Sequence, residues 1–307
     1  MNPKFSITLC TFNSFEYIGE CIDSLLKQTL TDFELIIVDD GSTDSTVEYL
    51  RSLTDCRIKL LVLEKNHGLV YARTQAFQAA RGSYIALMDS DDIAHPERLA
   101  QQLVLLERGD VDICATRYQT LETATQRLRK RKSYVRNPDL RALMTIYCPI
   151  CNPTASFKRE LLQLTGYTEE FRHAEDYAFW TALSAANCVF QIVPFCLLTY
   201  RIHPQQVSRV KSSQARDSFL KAQQLYVIAL LGEHQAPQSM PLAQRLRSGM
   251  QFMLSLNRRL PHVSVAANYE IYAEFQYRRN GWRTPFLRME RLLVALLSSA
   301  IGRLRST

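Results

Sequence analysis

Phe33-Glu34-Leu35-Ile36-Ile37-Val38-Asp39-Asp40-Gly41-Ser42 joins a continuous apolar run to an acidic, turn-forming cluster. A run with no polar alternation reads as a strand covered on both faces, the pattern of a parallel sheet. Outward from it the same grammar repeats. Residues 5–9 are apolar and lead into Cys10-Thr11-Phe12-Asn13, and residues 84–88 lead into Asp89-Ser90-Asp91-Asp92. Residues 58–63 supply one more strand. The intervening segments have helical spacing: Ile18, Cys21, Ile22, Leu25 and Leu26, then Val47, Leu50 and Leu53, then residues 69–80 stopped by Gly82, then residues 96–108 with Pro96 in the first turn. Asn13 with Glu16, and Ser45 with Glu48, read as capping boxes for the first two helices. Alternating strands and helices predict an α/β fold, Rossmann-like, with a mostly parallel sheet and helices on both faces. Ligands of such sheets collect beyond the carboxyl ends of the strands, where all three polar clusters fall.

Three carboxylates within Asp89-Ser90-Asp91-Asp92 repel one another unless a cation sits among them. Carboxylate oxygens suit Mg²⁺ or Mn²⁺, commonly held by one or two protein carboxylates plus substrate phosphates. Asp91 is the metal candidate, and Asp92 reads as a helix-capping, structural residue. A carboxylate from Asp39-Asp40 can accept hydrogen bonds from a base or a ribose and so orient a nucleotide. Neither G-x-G-x-x-G nor G-x-x-x-x-G-K-[ST] occurs, which excludes the glycine-cradled phosphate sites. Diphosphate charge would then need a metal, with Arg73 or Arg81 in support. Glu175-Asp176 opens a further helix through Phe179, Trp180 and Leu183, where either residue is an N-terminal helix charge or a general base. Cys148 and Cys151, a lone C-x-x-C, read as ordinary buried thiols, and the eight scattered cysteines suit a reducing compartment.

The ordered set resembles the inverting family-2 glycosyltransferases, whose catalytic domain has the GT-A fold. The matching stretches are residues 6–13, residues 28–44, Asn66-His67-Gly68 with Ala72-Arg73, and residues 82–92 followed by Pro96. Asn152-Pro153-Thr154, Gly166-Tyr167, Glu175-Asp176 and Tyr200-Arg201-Ile202-His203 complete it. The resemblance spans about residues 5–205. It implies transfer of a sugar from a nucleotide-diphosphate donor, such as a UDP-sugar, to a hydroxyl of a saccharide or lipid-linked acceptor in cell-envelope polysaccharide or lipooligosaccharide synthesis. Thr11 and Phe12 correspond to residues lining the base pocket, Asp40 to the carboxylate that holds uracil, and Arg73 to a donor-contacting arginine. Asp89-Ser90-Asp91 corresponds to the D-x-D motif, with Asp91 as metal ligand and Asp89 facing the ribose. Asp176 corresponds to the catalytic base. Thr181 departs from the pattern, since many relatives carry arginine after the tryptophan. His203 reads as a surface histidine before Pro204, a metal or phosphate ligand being the alternative.

The 307 residues, 47% hydrophobic and 22% charged, suit a folded protein, and the net charge of +7 favours an acidic partner. Nucleic acid is not the expected partner: the basic run Arg127, Arg129, Lys130, Arg131 and Lys132 surrounds only Leu128 and reads as a solvated loop or hairpin tip, the alternative being that near an acceptor site it attracts a lipid-linked or phosphorylated acceptor. The pattern predicts a strand over 111–120, short elements over 154–164, a strand over 190–200, and long helices beyond His203-Pro204. That change places a catalytic unit at 1–203 and a helical region at 204–307. Phe286, Leu287, Leu292, Leu293, Leu296, Leu297 and Ile301, flanked by arginines, form a stripe that can lie on an anionic membrane or pack on the catalytic unit. With no signal-like start and no 18-residue apolar window, a cytoplasmic protein is expected, peripheral on the inner membrane face if the stripe binds lipid. A nucleotidyltransferase would want a glycine-rich basic loop near Cys10–Asn13, and a silent nucleotide-sugar-binding scaffold could dispense with Asp91 and Asp176.

Overall fold

The computed structural model describes residues 2–131, 133–206, 215–232, 242–280 and 295–296. Its sheet is built on four parallel strands in the order β3-β2-β1-β4: β1 (Phe5–Thr11), β2 (Phe33–Asp39), β3 (Ile58–Val62) and β4 (Tyr84–Asp89). Every residue of β2 is buried. The physical reason is the two-residue period of a strand: Leu35 and Ile37 point to one face, Ile36 and Val38 to the other. The first pair joins Phe5, Ile7 and Leu9 under α1 (Phe15–Leu26), α2 (Thr46–Ser52) and α4 (Arg98–Glu107). The second pair packs with Val70, Ala72 and Ala76 of α3 (Leu69–Ala79).

Beyond β4 the sheet becomes mixed. β5 (Ile93–Ala94) pairs antiparallel with the long β9 (Phe190–Ile202), which runs parallel to β6 (Ile113–Glu122). β8 (Ser156–Lys158) lies antiparallel between β4 and β6, and β7 (Arg127–Lys130) folds back on β6 as a hairpin. The segment at 159–164 forms a 3₁₀ turn, Arg159–Gln163, in place of a regular helix. α5 (Asn137–Leu143) and α6 (Glu175–Ala185) cover the face opposite α4.

The long helices expected after residue 204 are α7 (Ala215–Leu231), α8 (Leu242–Arg259) and α9 (Val265–Asn280). They are not a separate layer. Tyr226, Leu230, Met253, Leu256, Ile271 and Tyr272 belong to the same apolar cluster as Phe179 and Trp180 of α6. Among the described residues no helix is long and apolar enough to cross a membrane. The stripe from Phe286 to Ile301 lies, apart from Leu296, outside the described residues.

Neither capping box forms. Asn13 adopts φ 51° and turns its Oδ1 to accept from the Thr43 N–H at 2.8 Å, while Ser14 and Ser45 cap α1 and α2 without side-chain bonds. Asp44 does that work for both helices: its Oδ1 accepts from the Thr46 N–H at 3.0 Å and its Oδ2 from the Phe15 N–H at 3.3 Å. A carboxylate shared by two helix N-termini neutralises orphan donors on each. All eight cysteines are free, and burial raises the Cys148 and Cys151 thiols well above their ordinary value.

Candidate active site

The carboxyl ends of β1, β2 and β4 meet at one rim, as register pairs Thr11 with Asp39 and Cys10 with Asp89. The turn after β2 is fixed by its own polar groups. Asp39 accepts from the Ser42 N–H at 2.8 Å and the Ser42 hydroxyl at 2.6 Å. Asp40 donates its own N–H to the Thr11 carbonyl at 2.9 Å. Its carboxylate accepts from the N–H groups of His67 and Gly68, at 2.8 Å each, tying down the loop that opens α3. A carboxylate has about four acceptor positions, so Asp40 keeps capacity for a further donor. Gly41 sits at φ 72°, and a Cβ there would lie 2.5 Å from the Lys65 carbonyl carbon, so no other residue lets the two loops touch. Beside them the Thr11 hydroxyl is buried without a partner, and the Phe12 ring is 44% exposed.

Arg73, one turn into α3, is the electrostatic centre of the cleft. Its guanidinium meets Asp89 at 3.1 Å and Glu175 at 3.5 Å, and lies 5.0 Å from the ring centre of Tyr167. The Tyr167 hydroxyl in turn donates to Asn152 at 3.1 Å. Burial opposes the charge on Arg73, but Tyr167, Asp89 and Glu175 outweigh it and its pKa is raised. Burial also raises the Asp89 carboxyl, against the pull of Arg73. One cation thus joins the end of β4 to the start of α6.

Arg81 does not reach this rim. It lies just past the far end of α3, where its backbone and side chain bind Glu34 and its N–H also meets the Ser6 hydroxyl near the amino ends of the strands. From Arg73 to the end of α3 at Ala79 is six helical residues, about 9 Å of travel, and the extended Ala80, with Arg81 after it, continues toward the other end of the sheet.

Asp91 faces His203, whose Nε2 stands 2.9 Å from Asp91 Oδ2. Contrary to the reading of His203 as a surface residue, it is 7% exposed. Strand pairing explains this. β5 begins immediately after Asp92 and pairs Ile93 with Thr199 and Ala94 with Leu198, which returns the end of β9 to the acidic turn. The His203 ring rests on Tyr17 at 4.7 Å, and its Nδ1 lies 3.2 Å from Gln205 Oε1. The ending of a strand in Tyr200-Arg201-Ile202-His203 was the available signal, and a lone histidine was too weak to carry it. Ser90 shares a hydrogen bond of 3.0 Å with the Ser14 hydroxyl. Asp92 is fully buried, accepts from the Arg201 N–H at 3.0 Å, and is raised well above the carboxylate range by burial and by Asp91. It caps no helix, contrary to the helix-capping reading: a strand, Ile93–Ala94, follows it, Glu97 is the N-cap of α4, and Asp92 instead ties the acidic turn to β9.

Among the described residues no three His, Cys, Asp or Glu side chains gather as a closed metal site. Asp91 with His203 offers one carboxylate and one imidazole. That donor set fits a divalent ion completed by substrate phosphates, and Mn²⁺ tolerates the nitrogen ligand.

Asp176 stands in the first turn of α6 next to Glu175. The two carboxylates are not equivalent. Glu175 is committed to Arg73, whereas among the described residues Asp176 accepts only from the adjoining Tyr177 N–H at 2.7 Å. Burial, and secondarily Glu175, push the Asp176 carboxyl up to about 6. A carboxylate near neutrality is suited to taking a proton at physiological pH. The two neighbours thus differ in that Glu175, and not Asp176, holds Arg73.

The sequence matches the Glycosyl transferase family 2 profile over residues 6–164. An uncharacterized glycosyltransferase of Haemophilus influenzae is 30% identical over 236 residues, 71% of this chain and 72% of that one. The chain belongs to glycosyltransferase family 2. Similar at 29% identity is the O-antigen biosynthesis glycosyltransferase WbnJ of Escherichia coli, over 66% of this chain and 82% of WbnJ. This family 2 glycosyltransferase also shares its fold with Staphylococcus aureus TarS residues 1–349, solved with UDP-GlcNAc: TM-score 0.62 at 20% identity, over 98% and 92% of the two chains. The mannosyltransferase PcManGT of Pyrobaculum calidifontis, in complex with GDP-Man and Mn²⁺, aligns with TM-score 0.56 at 18% identity over 98% and 88%. The mixed, mostly parallel sheet of this glycosyltransferase is thus the GT-A fold.

Proposed function

We propose that this glycosyltransferase moves a sugar from a UDP-sugar to an acceptor hydroxyl by a single inverting displacement, within residues 1–203, with residues 204–307 as a helical region. The observation that carries the reading is the Arg73 bridge. Asp89 beside the Asp91–His203 pair and Glu175 beside Asp176 share one guanidinium, so a donor-side carboxylate and a base stand in one cleft. Thr11, Phe12 and Asp40 would receive the uracil, Phe12 with an exposed ring and Asp40 with spare acceptor capacity. Asp89 and Ser90 would face the ribose. Arg73, with its charge already countered by two carboxylates, would orient the donor without trapping the diphosphate after transfer. Asp91 and His203 would hold Mg²⁺ or Mn²⁺, which when bound neutralises charge on the departing diphosphate. Asp176 would take the proton of the attacking hydroxyl, on the face of the anomeric carbon away from the nucleotide. The resemblance to WbnJ supports an acceptor in cell-surface polysaccharide synthesis, saccharide or lipid-linked.

The test is ligand-dependent protection from thermal unfolding. UDP and UDP-sugars with Mn²⁺ should raise Tm by mass action. Asp91→Ala should abolish that metal-dependent rise and turnover while leaving the apo Tm near the wild-type value. Undiminished turnover in EDTA, or in the variant, refutes the metal assignment.

A further inference from the structure

β7 and the residue after it place Arg127, Arg129, Lys130 and Arg131 around Leu128, all five exposed, with Leu128 at 55%. The register sets Arg127 opposite Glu122 and Arg129 opposite Thr120, so these two arginines share one sheet face; Leu128 and Lys130 share the other. Among the described residues β7 pairs with β6 alone, which leaves its outer edge without a strand partner there. Among the described residues no ion pair engages these four cations. The plainest explanation is that charge on a free edge discourages strand addition. That purpose does not call for an exposed leucine at the middle of the edge. Nor does it account for where the hairpin stands. Thr123, in its turn, donates both its N–H (3.1 Å) and its hydroxyl (3.2 Å) to the Ile202 carbonyl, one residue before His203. The cationic hairpin is therefore fastened to the rim of the cleft, beside the Asp91–His203 pair.

We propose that the β6–β7 hairpin docks this enzyme on an anionic bilayer surface with the mouth of the cleft turned toward the lipid headgroups. Charge complementarity selects the occupant. Clustered cations are drawn to an acidic leaflet, Leu128 is placed to enter its interface, and the +7 of the whole chain adds attraction at longer range. Docking by a rim element presents the cleft to acceptors carried in the membrane. In this respect the proposal deepens the reading of a lipid-linked acceptor, though the docking itself does not depend on it.

The experiment is co-sedimentation of the full chain with phosphatidylcholine vesicles, with and without phosphatidylglycerol, at low and high salt. Wild type should bind the phosphatidylglycerol vesicles at low salt, release at high salt, and ignore pure phosphatidylcholine. The triple variant Arg127→Glu, Arg129→Glu, Lys130→Glu should bind more than about tenfold more weakly. Its UDP release by slow hydrolysis of a UDP-sugar should stay at the wild-type rate. Should the triple variant fail to fold, the neutral set Arg127→Gln, Arg129→Gln, Lys130→Gln reads the same effect at smaller size. Leu128→Ser should weaken binding without changing its salt dependence. Wild type that ignores anionic vesicles, or a charge variant that binds them as wild type does, overturns the proposal. Preference for an RNA homopolymer over the vesicles, lost in the same variant, overturns it in favour of nucleic acid. Failure of the catalytic reading shows separately, as no UDP release from any UDP-sugar by either form.

Discussion

Replacing Asp176 by asparagine keeps the shape of the side chain and removes its ability to take a proton. Transfer should fall by about a hundredfold or more, the size of a lost general base, while UDP-sugar binding persists. The same carboxyl has a second consequence that can be read without an acceptor. In the folded protein it is pushed from 3.8 to about 6, chiefly by burial and then by Glu175. A shift of that size corresponds to about 3 kcal/mol. The sign follows from proton binding. Between pH 3.8 and 6 the folded state holds a proton that the unfolded chain has released, so stability falls as pH rises through this window and the full penalty stands above it. Asp176→Asn should therefore be more stable than wild type at pH 7, by up to about 5 °C in Tm for a chain of this length, and the difference should vanish below about pH 4. Wild-type kcat/KM should lose activity on an acid limb centred near 6, falling to about a tenth by pH 5. Glu175→Gln removes a charge that raises the carboxyl, so its limb should move to lower pH. Scanning calorimetry from pH 4 to 8 and a pH–rate profile test the reasoning together. A limb that stays flat to pH 5, or wild-type turnover in Asp176→Asn, refutes it.

Two further outcomes test the scaffold. Gly41→Ala meets both a positive φ and a contact of 2.5 Å with backbone, so it should cost about 3 kcal/mol in a denaturant melt and weaken UDP protection through the displaced loop at Lys65. Arg73→Met strands Asp89 and Glu175, so it should cost about 3–5 kcal/mol at neutral pH, and adding Glu175→Gln should recover part of that loss in a double-mutant cycle.

The first half of the fold was legible because its strands are buried on both faces, and an apolar run such as residues 33–38 has few other interpretations. The rim residues were legible for the same reason: where an apolar run stops, the carboxyl end of a strand is marked, and Asp40 and Asp89 mark theirs. His203 was not, because its burial depends on β5 and β9 pairing across about a hundred residues of chain, which no local pattern encodes. Arg73 on α3 and Arg81 just past its end looked alike in the sequence, and only the helix direction relative to the sheet separates them. The capping boxes failed through competition. Asn13 has Thr43 within reach and Asp44 has both helix ends, so the local motif lost to a tertiary one. The packing of α7 on α6 was hidden because both helices show apolar residues on more than one face.

That packing bears on how such enzymes can be recombined. The Tyr226 hydroxyl on α7 donates to the Arg141 carbonyl at 2.9 Å and shares a hydrogen bond of 2.7 Å with Ser184 on α6, the helix that carries Asp176. Gln223 donates to the Thr145 carbonyl at 2.7 Å from the same side. A chimera spliced near residue 203 would set a foreign helix against these polar groups, leaving a hydroxyl and two carbonyls to find new partners in the interior. The two parts of the chain therefore share one seam, and a residue exchanged on α7 is felt first by the helix that carries Asp176.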